Sequence, residues 1–163
     1  MGSAAAGRVA LMSIHPAYAD EILRGNKRVE FRKRPVSPDV THVMIYATAP
    51  VSAVIGAFTV AGQETMEPES LWCRFHTVAG ITRRRFFDYF NGRSTGTGIM
   101  VNEVLKPEAP LSLDRDLGVN RPPQSYQYLP ADAAREALAQ VGFQAFELAR
   151  QVGRYSKALR SID

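Results

Sequence analysis

Apolar and polar positions along this chain change period several times, and each change marks an element. Arg8–Ile14 (RVALMSI) is a short apolar run that reads as a strand. His15-Pro16 then opens a helix, with proline in its first turn. Ala19, Ile22 and Leu23 share one face of that helix, and Gly25 stands at its C-terminal cap. From Arg28 to Lys33 the period drops to two: Val29 and Phe31 point one way, and Arg28, Glu30 and Arg32 the other, the pattern of a half-buried strand. Thr41–Thr48 reads as a buried strand that ends before Pro50. Ala53–Val60 is another strand, with Gly56 a candidate bulge or close-approach point. Glu67–His76 and Thr82–Phe90 have the look of short helices, the second capped by Thr82 and buried through Phe86, Phe87 and Phe90. Gly92–Gly98 reads as a loop, Gly98–Leu105 as a strand, Leu111–Leu113 as a short strand and Ser125–Leu129 as an extended piece. Beyond Pro130 the chain is Ala-rich and helical, interrupted by Gly142 and resumed from Phe143 to Leu159.

Five or six strands, interrupted by helices but not strictly alternating with them, point to an α+β fold. The expectation is a small mixed β-barrel with flanking helices and a C-terminal helical extension, rather than a doubly wound sheet. The length of 163 residues suits one domain. The expected organisation is a disordered leader over residues 1–7, a body over 8–129 and the extension over 130–163. That extension could pack on the body, drive oligomerisation, or present Arg150, Arg154, Lys157 and Arg160 as a basic face.

Composition narrows the classes. With 45% hydrophobic and 22% charged residues, wholesale disorder is excluded. No apolar run reaches the roughly 18 residues of a membrane-spanning helix, so no membrane partner is expected. Met1–Gly7 lacks a basic region before an apolar core and does not read as a signal peptide, which makes the cytoplasm the expected location. The single cysteine, Cys73, excludes an intramolecular disulfide and any cysteine-cluster metal site.

The net charge of +4 is modest, but its distribution is not. Arg24, Lys27, Arg28, Arg32, Lys33 and Arg34 fall within eleven residues and are opposed only by Glu30. The rest of the chain is slightly acidic. A stripe of this kind attracts polyanions such as nucleic acid or a phosphate group, unless it is merely a solvated loop.

Within the stripe, Glu30 and Arg32 share a strand face and Lys27 sits at the mouth of that strand. Three such groups can hold an anionic or polar ligand, with Glu30 accepting from a base or orienting the cations. Alternatively, Lys27, its pKa lowered by burial, can serve with Glu30 in proton transfer. A surface ion-pair network of little energetic value is the third possibility. Ser13, Gln124 and Ser125 are candidates for further hydrogen bonds. Tyr46, Trp72, Tyr126 and Tyr128 are candidate stacking platforms for bases, Trp72 and Tyr126 foremost, against a default of core packing. His15, His42 and His76 lack metal-ligand spacing, so neither a metal nor a cofactor is expected; His15, between strand and helix, can line a cleft. Ser13 and Ser125 have no His–Asp partners in view. Cys73 reads as a buried core thiol, Gly92–Gly98 as a turn lacking the ending of a phosphate loop, and Arg83-Arg84-Arg85, at a helix start, either as a solvated face or as an extension of the basic surface.

The run Ser13-Ile14-His15-Pro16-x-Tyr18-Ala19-x-x-Ile22-Leu23-x-Gly25-x-Lys27-x-x-Glu30-x-Arg32 resembles the opening of the ASCH domain family, with the G-x-K-x-x-E-x-R signature complete. Ile45–Pro50, Val54-Ile55-Gly56, Trp72 and Pro122–Tyr126 resemble segments of bacterial and phage ASCH proteins labelled as transcriptional regulators. The resemblance covers Arg8 to Leu129. It implies a PUA-like barrel with a cleft beside the first helix, and binding of RNA, single-stranded nucleic acid, a nucleotide or a modified base there. One branch of the family hydrolyses the amide of N4-acetylcytidine with a lysine, a threonine three residues later and a distant glutamate. Lys27 matches that lysine, but Glu30 stands where the threonine would be, so the branch's nucleophile is missing. Glu64 and Glu103 are unaligned candidates for the acid. A hydrolase acting on a modified nucleoside is therefore the alternative to a binding protein, and a protein-interaction module working through the helical tail is a third.

Overall fold

The computed structural model describes residues 7–142. Six strands form one mixed sheet: β1 (Arg8–Ile14), β2 (Val29–Arg32), β3 (Val40–Ala47), β4 (Ala53–Met66), β5 (Gly96–Leu105) and β6 (Tyr126–Tyr128). The helices are α1 (Pro16–Leu23), α2 (Pro68–Phe75), α3 (Arg83–Tyr89), α4 (Leu113–Leu117) and α5 (131–142), with a 3-10 turn at His76–Val78. The strand order is β2-β5-β4-β3-β1-β6. β1 runs parallel to β3, because α1 and β2 form a crossover between them, and every other pair is antiparallel.

Alternation along the strands divides the core. Leu11, Met44, Tyr46, Val54 and Ala57 face a layer made by Leu111, Leu117, Val119 and the α5 residues Ala134, Ala137 and Val141. Ala10, Met12, Ile14, Val43, Ile45 and Phe58 face the other way and enclose Ala19 and Ile22 of α1. A third cluster joins Val29 and Phe31 of β2 to Leu71, Phe75, Phe86 and Phe90. The 14-residue β4 lets the sheet curl: it pairs first with β3 and then with β5, and its ladders shift register at three points. One shift falls beside Gly56, where an added Cβ would lie 2.5 Å from Leu23 of α1 and 2.9 Å from the Leu105 carbonyl. Gly56 is thus both the bulge neighbour and the close approach that its position in the strand predicts.

The curl brings the two edge strands towards each other, and polar contacts span the opening. Ser37 N donates to the Tyr128 hydroxyl at 2.9 Å, and the Tyr126 hydroxyl donates to Pro35 O at 3.3 Å. The result is the expected α+β small barrel, in half-open form.

Several expectations need correction. β2 is buried on both faces, not half-buried, because α2 and α3 cover Val29 and Phe31 while the curled sheet covers Glu30 and Arg32. Leu111 makes a single bridge to Val54, and the next residues form α4 instead of a strand. There Ser112 N donates to Asp116 Oδ2 at 2.6 Å, fixing the first turn, and Gly118 ends the helix at φ 67°. Gly96 and Gly98 belong to β5, where Phe90 and Phe75 lie against them. Cys73 is exposed, because Leu71 and Phe75 define the buried face of α2 and Cys73 falls opposite. The first part of the expected extension, 131–142, is helical and built into the core. Residues 143–163, where that extension continues, and the leader up to residue 6 lie outside the described residues. Among the described residues, no helix is long and apolar enough to cross a membrane.

Candidate functional site

β1 ends where α1 begins, and β2 follows α1 after a short turn, so one chain segment supplies most of the lining of a cavity of about 200 Å³, which Ile81 and Tyr89 complete. Its lining includes Ser13, Ile14, His15, Tyr18, Lys27, Glu30, Phe31, Arg32, Ile81 and Tyr89. The local folding that makes it is legible. His15 Nδ1 accepts from Ala17 N at 3.2 Å and caps α1, while Pro16 fits the first turn. Gly25 leaves the helix at φ 83°, and the Asn26 and Lys27 amides both donate to Glu21 O. That turn delivers Lys27 into the cavity.

Lys27, Glu30 and Arg32 are only 2%, 7% and 7% exposed and form one network. Arg32 Nη2 donates to Glu30 Oε1 at 2.9 Å, and Lys27 Nζ lies 3.7 Å from Glu30 Oε2. Lys27 Nζ donates to Ala79 O at 2.6 Å and sits over the Phe31 and Tyr18 rings at 5.0 and 5.5 Å. Burial lowers the Lys27 pKa; Glu30 opposes the shift and Arg32 adds to it. Gly80, at φ +58°, lies against the Lys27 stem, where an added Cβ would come within 2.6 Å of Lys27 Cβ. The lysine is therefore threaded under a turn that has room only for glycine.

Arg32 reaches further. Nη2 also donates to Ser13 O at 3.0 Å, and Nη1 donates to Ser125 Oγ at 3.3 Å. Its Nε is buried with no partner among the described residues. Ser13 Oγ donates to Pro123 O at 2.6 Å, drawing the segment before β6 onto the end of β1. Removing one member of such a buried charge network typically costs about 3–5 kcal/mol, because a charge is left uncompensated.

The residues singled out from sequence divide clearly. Ser13, Lys27, Glu30 and Arg32 line the cavity, Ser125 binds Arg32, and His15 lines it as its position between strand and helix suggests. Gln124 is exposed and is not among the lining residues. Tyr126 packs on Tyr128, 5.7 Å between ring centres, outside the cavity. Trp72 also lies outside it, packed on Phe86 and Phe87 at 5.2 and 6.2 Å, because it extends the third cluster. Tyr46 is buried in the first cluster. Of the segment's six cations, Lys27 and Arg32 are turned inward onto Glu30, Arg24 is paired with Asp20, and Arg28, Lys33 and Arg34 are exposed.

Two lining tyrosines are not among the residues singled out from sequence. Tyr18 belongs to the signature run, and its place two residues beyond the helix-opening proline was the available signal. Tyr89 is 38% exposed and carries none, being brought to the cavity by the packing of Phe86 and Phe90 on either side of it. Among the described residues, no group of three His, Cys, Asp or Glu side chains is placed to hold a metal ion.

No family model matches the chain. A protein of Zymomonas mobilis named an ASCH domain-containing ribonuclease is 31% identical over 134 residues, which cover 80% of this chain and 90% of that protein. The crystal structure of ASCH from Zymomonas mobilis matches with a TM-score of 0.73 at 28% identity, covering 82% of this chain and 95% of that one. That of a serine-to-alanine variant of the same protein matches at 0.74 and 26% identity, covering 83% and 98%. With a relative of that identity matched over nearly its whole length, and a sheet that superposes on the same structures, the chain belongs to the ASCH domain family.

Proposed function

We propose that this protein binds RNA and takes one unpaired base into the cavity beside α1. The observation that supports this most is the pairing of Lys27 Nζ with Glu30 Oε2, 3.7 Å apart on the cavity lining. Lys27 uses one of its three donors on Ala79 O, and Glu30 uses one oxygen on Arg32. A donor and an acceptor side by side match the adjacent acceptor and donor on the pairing edge of a nucleobase. Only an unpaired base offers that edge. Tyr18 and Tyr89 supply aromatic surface at the same cavity. The name of the Zymomonas mobilis relative supports an RNA substrate class. Arg32 and Ser125 hold the cavity's shape, and the basic character of the cleft comes from its rim. A cytoplasmic location and a regulatory use of the bound RNA belong to the same proposal. Association of copies through the extension over 130–163 belongs to it as well.

Fluorescence anisotropy with a labelled single-stranded RNA at two salt concentrations tests the reading. Affinity is expected to fall as salt rises, and Lys27→Ala to weaken binding about tenfold or more. No salt-dependent binding, or no loss with Lys27→Ala, overturns it.

A second reading, cleavage of the bound RNA, is supported by the relative's name and by the lowered Lys27 pKa, which eases proton exchange beside Glu30. Labelled RNA that is shortened by the wild type and left intact by both Lys27→Ala and Glu30→Gln supports it. RNA left intact by the wild type contradicts it.

A further inference from the structure

The mouth of the cavity carries cations that the ion-pair network does not use. Arg85 of α3 places Nη1 3.4 Å from the Tyr18 hydroxyl. Lys33 Nζ lies 5.2 Å from the centre of the Tyr89 ring, and Arg93 Nη2 donates to Lys33 O at 3.1 Å. Both tyrosines line the cavity. Two lining aromatic rings therefore each carry a cation.

Arg8, Arg24, Arg74 and Arg135 each pair with a carboxylate, whereas Arg85, Lys33 and Arg93, like the exposed Arg28, Arg34, Arg83 and Arg84, have no carboxylate partner among the described residues. Arg85 and Lys33 are set apart by resting on the two tyrosines that line the cavity. Asp88 of α3 is exposed and makes no ion pair with any described residue. Charges held at fixed points by an aromatic ring, a hydroxyl or a carbonyl, yet unneutralised, suit an anionic partner.

We propose that Arg85 and Lys33 are phosphate contacts for a single-stranded RNA that crosses the mouth of the cavity. The nucleotide whose base enters has one flanking phosphate met by Arg85 on the Tyr18 side and the other by Lys33 on the Tyr89 side, with Arg93 bracing the Lys33 backbone. This rests on the base-binding reading above and adds the path of the strand. The arginine fork suits two phosphate oxygens, and the lysine ammonium acts as a point charge. A duplex does not fit, because the base must leave its partner to enter.

The test compares wild type with Arg85→Ala and Lys33→Ala against a ten-nucleotide single-stranded RNA and against a free nucleoside. RNA affinity is read by anisotropy over a range of salt, and nucleoside binding by chemical-shift change at Tyr18 and Tyr89. Each variant is expected to lose several-fold in RNA affinity and to reduce the salt slope by about one, while nucleoside binding is unchanged. Unchanged slopes with intact nucleoside binding overturn the path and leave the base site standing. RNA binding that depends on Arg85 and Lys33, without any nucleoside response, supports the path and overturns the base site. Duplex RNA bound as tightly as the single strand overturns the path. Both residues are exposed, so loss of folding does not confuse the reading, and thermal melts of the variants verify it.

Discussion

Arg32, on edge strand β2, donates through Nη1 to Ser125 Oγ at 3.3 Å, beside the opposite edge strand β6. One side chain thus spans the open side of the curled sheet while its Nη2 serves Glu30 and Ser13 O. The residue that neutralises the buried carboxylate also closes the barrel.

Arg32→Ala is accordingly expected to destabilise the fold by about 3–5 kcal/mol, leaving Glu30 with only the more distant Lys27. Ser125→Ala, which removes one hydrogen bond at a part-buried position, is expected to cost about 1 kcal/mol. Urea unfolding of both variants measures this. An Arg32→Ala cost no larger than that of Ser125→Ala would contradict the closing role.

Gly80 sets the position of Lys27 from the opposite side. Gly80→Ala forces a Cβ into the lysine stem and places alanine at φ +58°. A loss of about 1–2 kcal/mol is expected from the backbone alone, together with weaker RNA binding as the ammonium is displaced. Retained affinity in a folded Gly80→Ala protein would show that the placement of Lys27 does not matter.

Lys27 gives the fold a signed pH dependence. Its folded pKa lies below the 10.5 of the unfolded chain, mainly because burial disfavours the ammonium. Between those two values the unfolded chain holds more protons, so raising the pH through that window stabilises the folded state. The wild type should gain stability relative to Lys27→Met across it. Parallel curves in denaturant melts at stepped pH would argue that Lys27 is not desolvated.

Trp72 provides a contrast. Its contacts are with Phe86, Phe87 and His76. Trp72→Ala is expected to cost about 3 kcal/mol or somewhat less, as a partly buried residue, and to leave RNA affinity unchanged. A large loss of affinity in a protein that still melts cooperatively would return Trp72 to the interface.

What could be read in the sequence follows from how local each signal is. The strand period, the proline-started helix and the Gly25 turn are set by neighbours a few residues apart, and they place Lys27, Glu30 and Arg32 correctly. The burial of the Glu30 and Arg32 face of β2 is hidden, because it depends on partners such as Ser125, 93 residues from Arg32. Such distances also hide Tyr89 and the inward turn of Lys27 and Arg32, which a charge count reads only as members of a basic stripe. Trp72 carried a signal common to core and interface, and side-chain packing alone separates the two.

The base-binding cavity is tested most directly by titrating the isotope-labelled protein with a short single-stranded RNA and mapping the chemical-shift changes. The account predicts that the largest changes fall on His15, Tyr18, Lys27, Glu30 and Tyr89, the residues around one cavity. Changes gathered elsewhere, such as the exposed face of α2 around Cys73 and Arg74, or no changes at all, would contradict it.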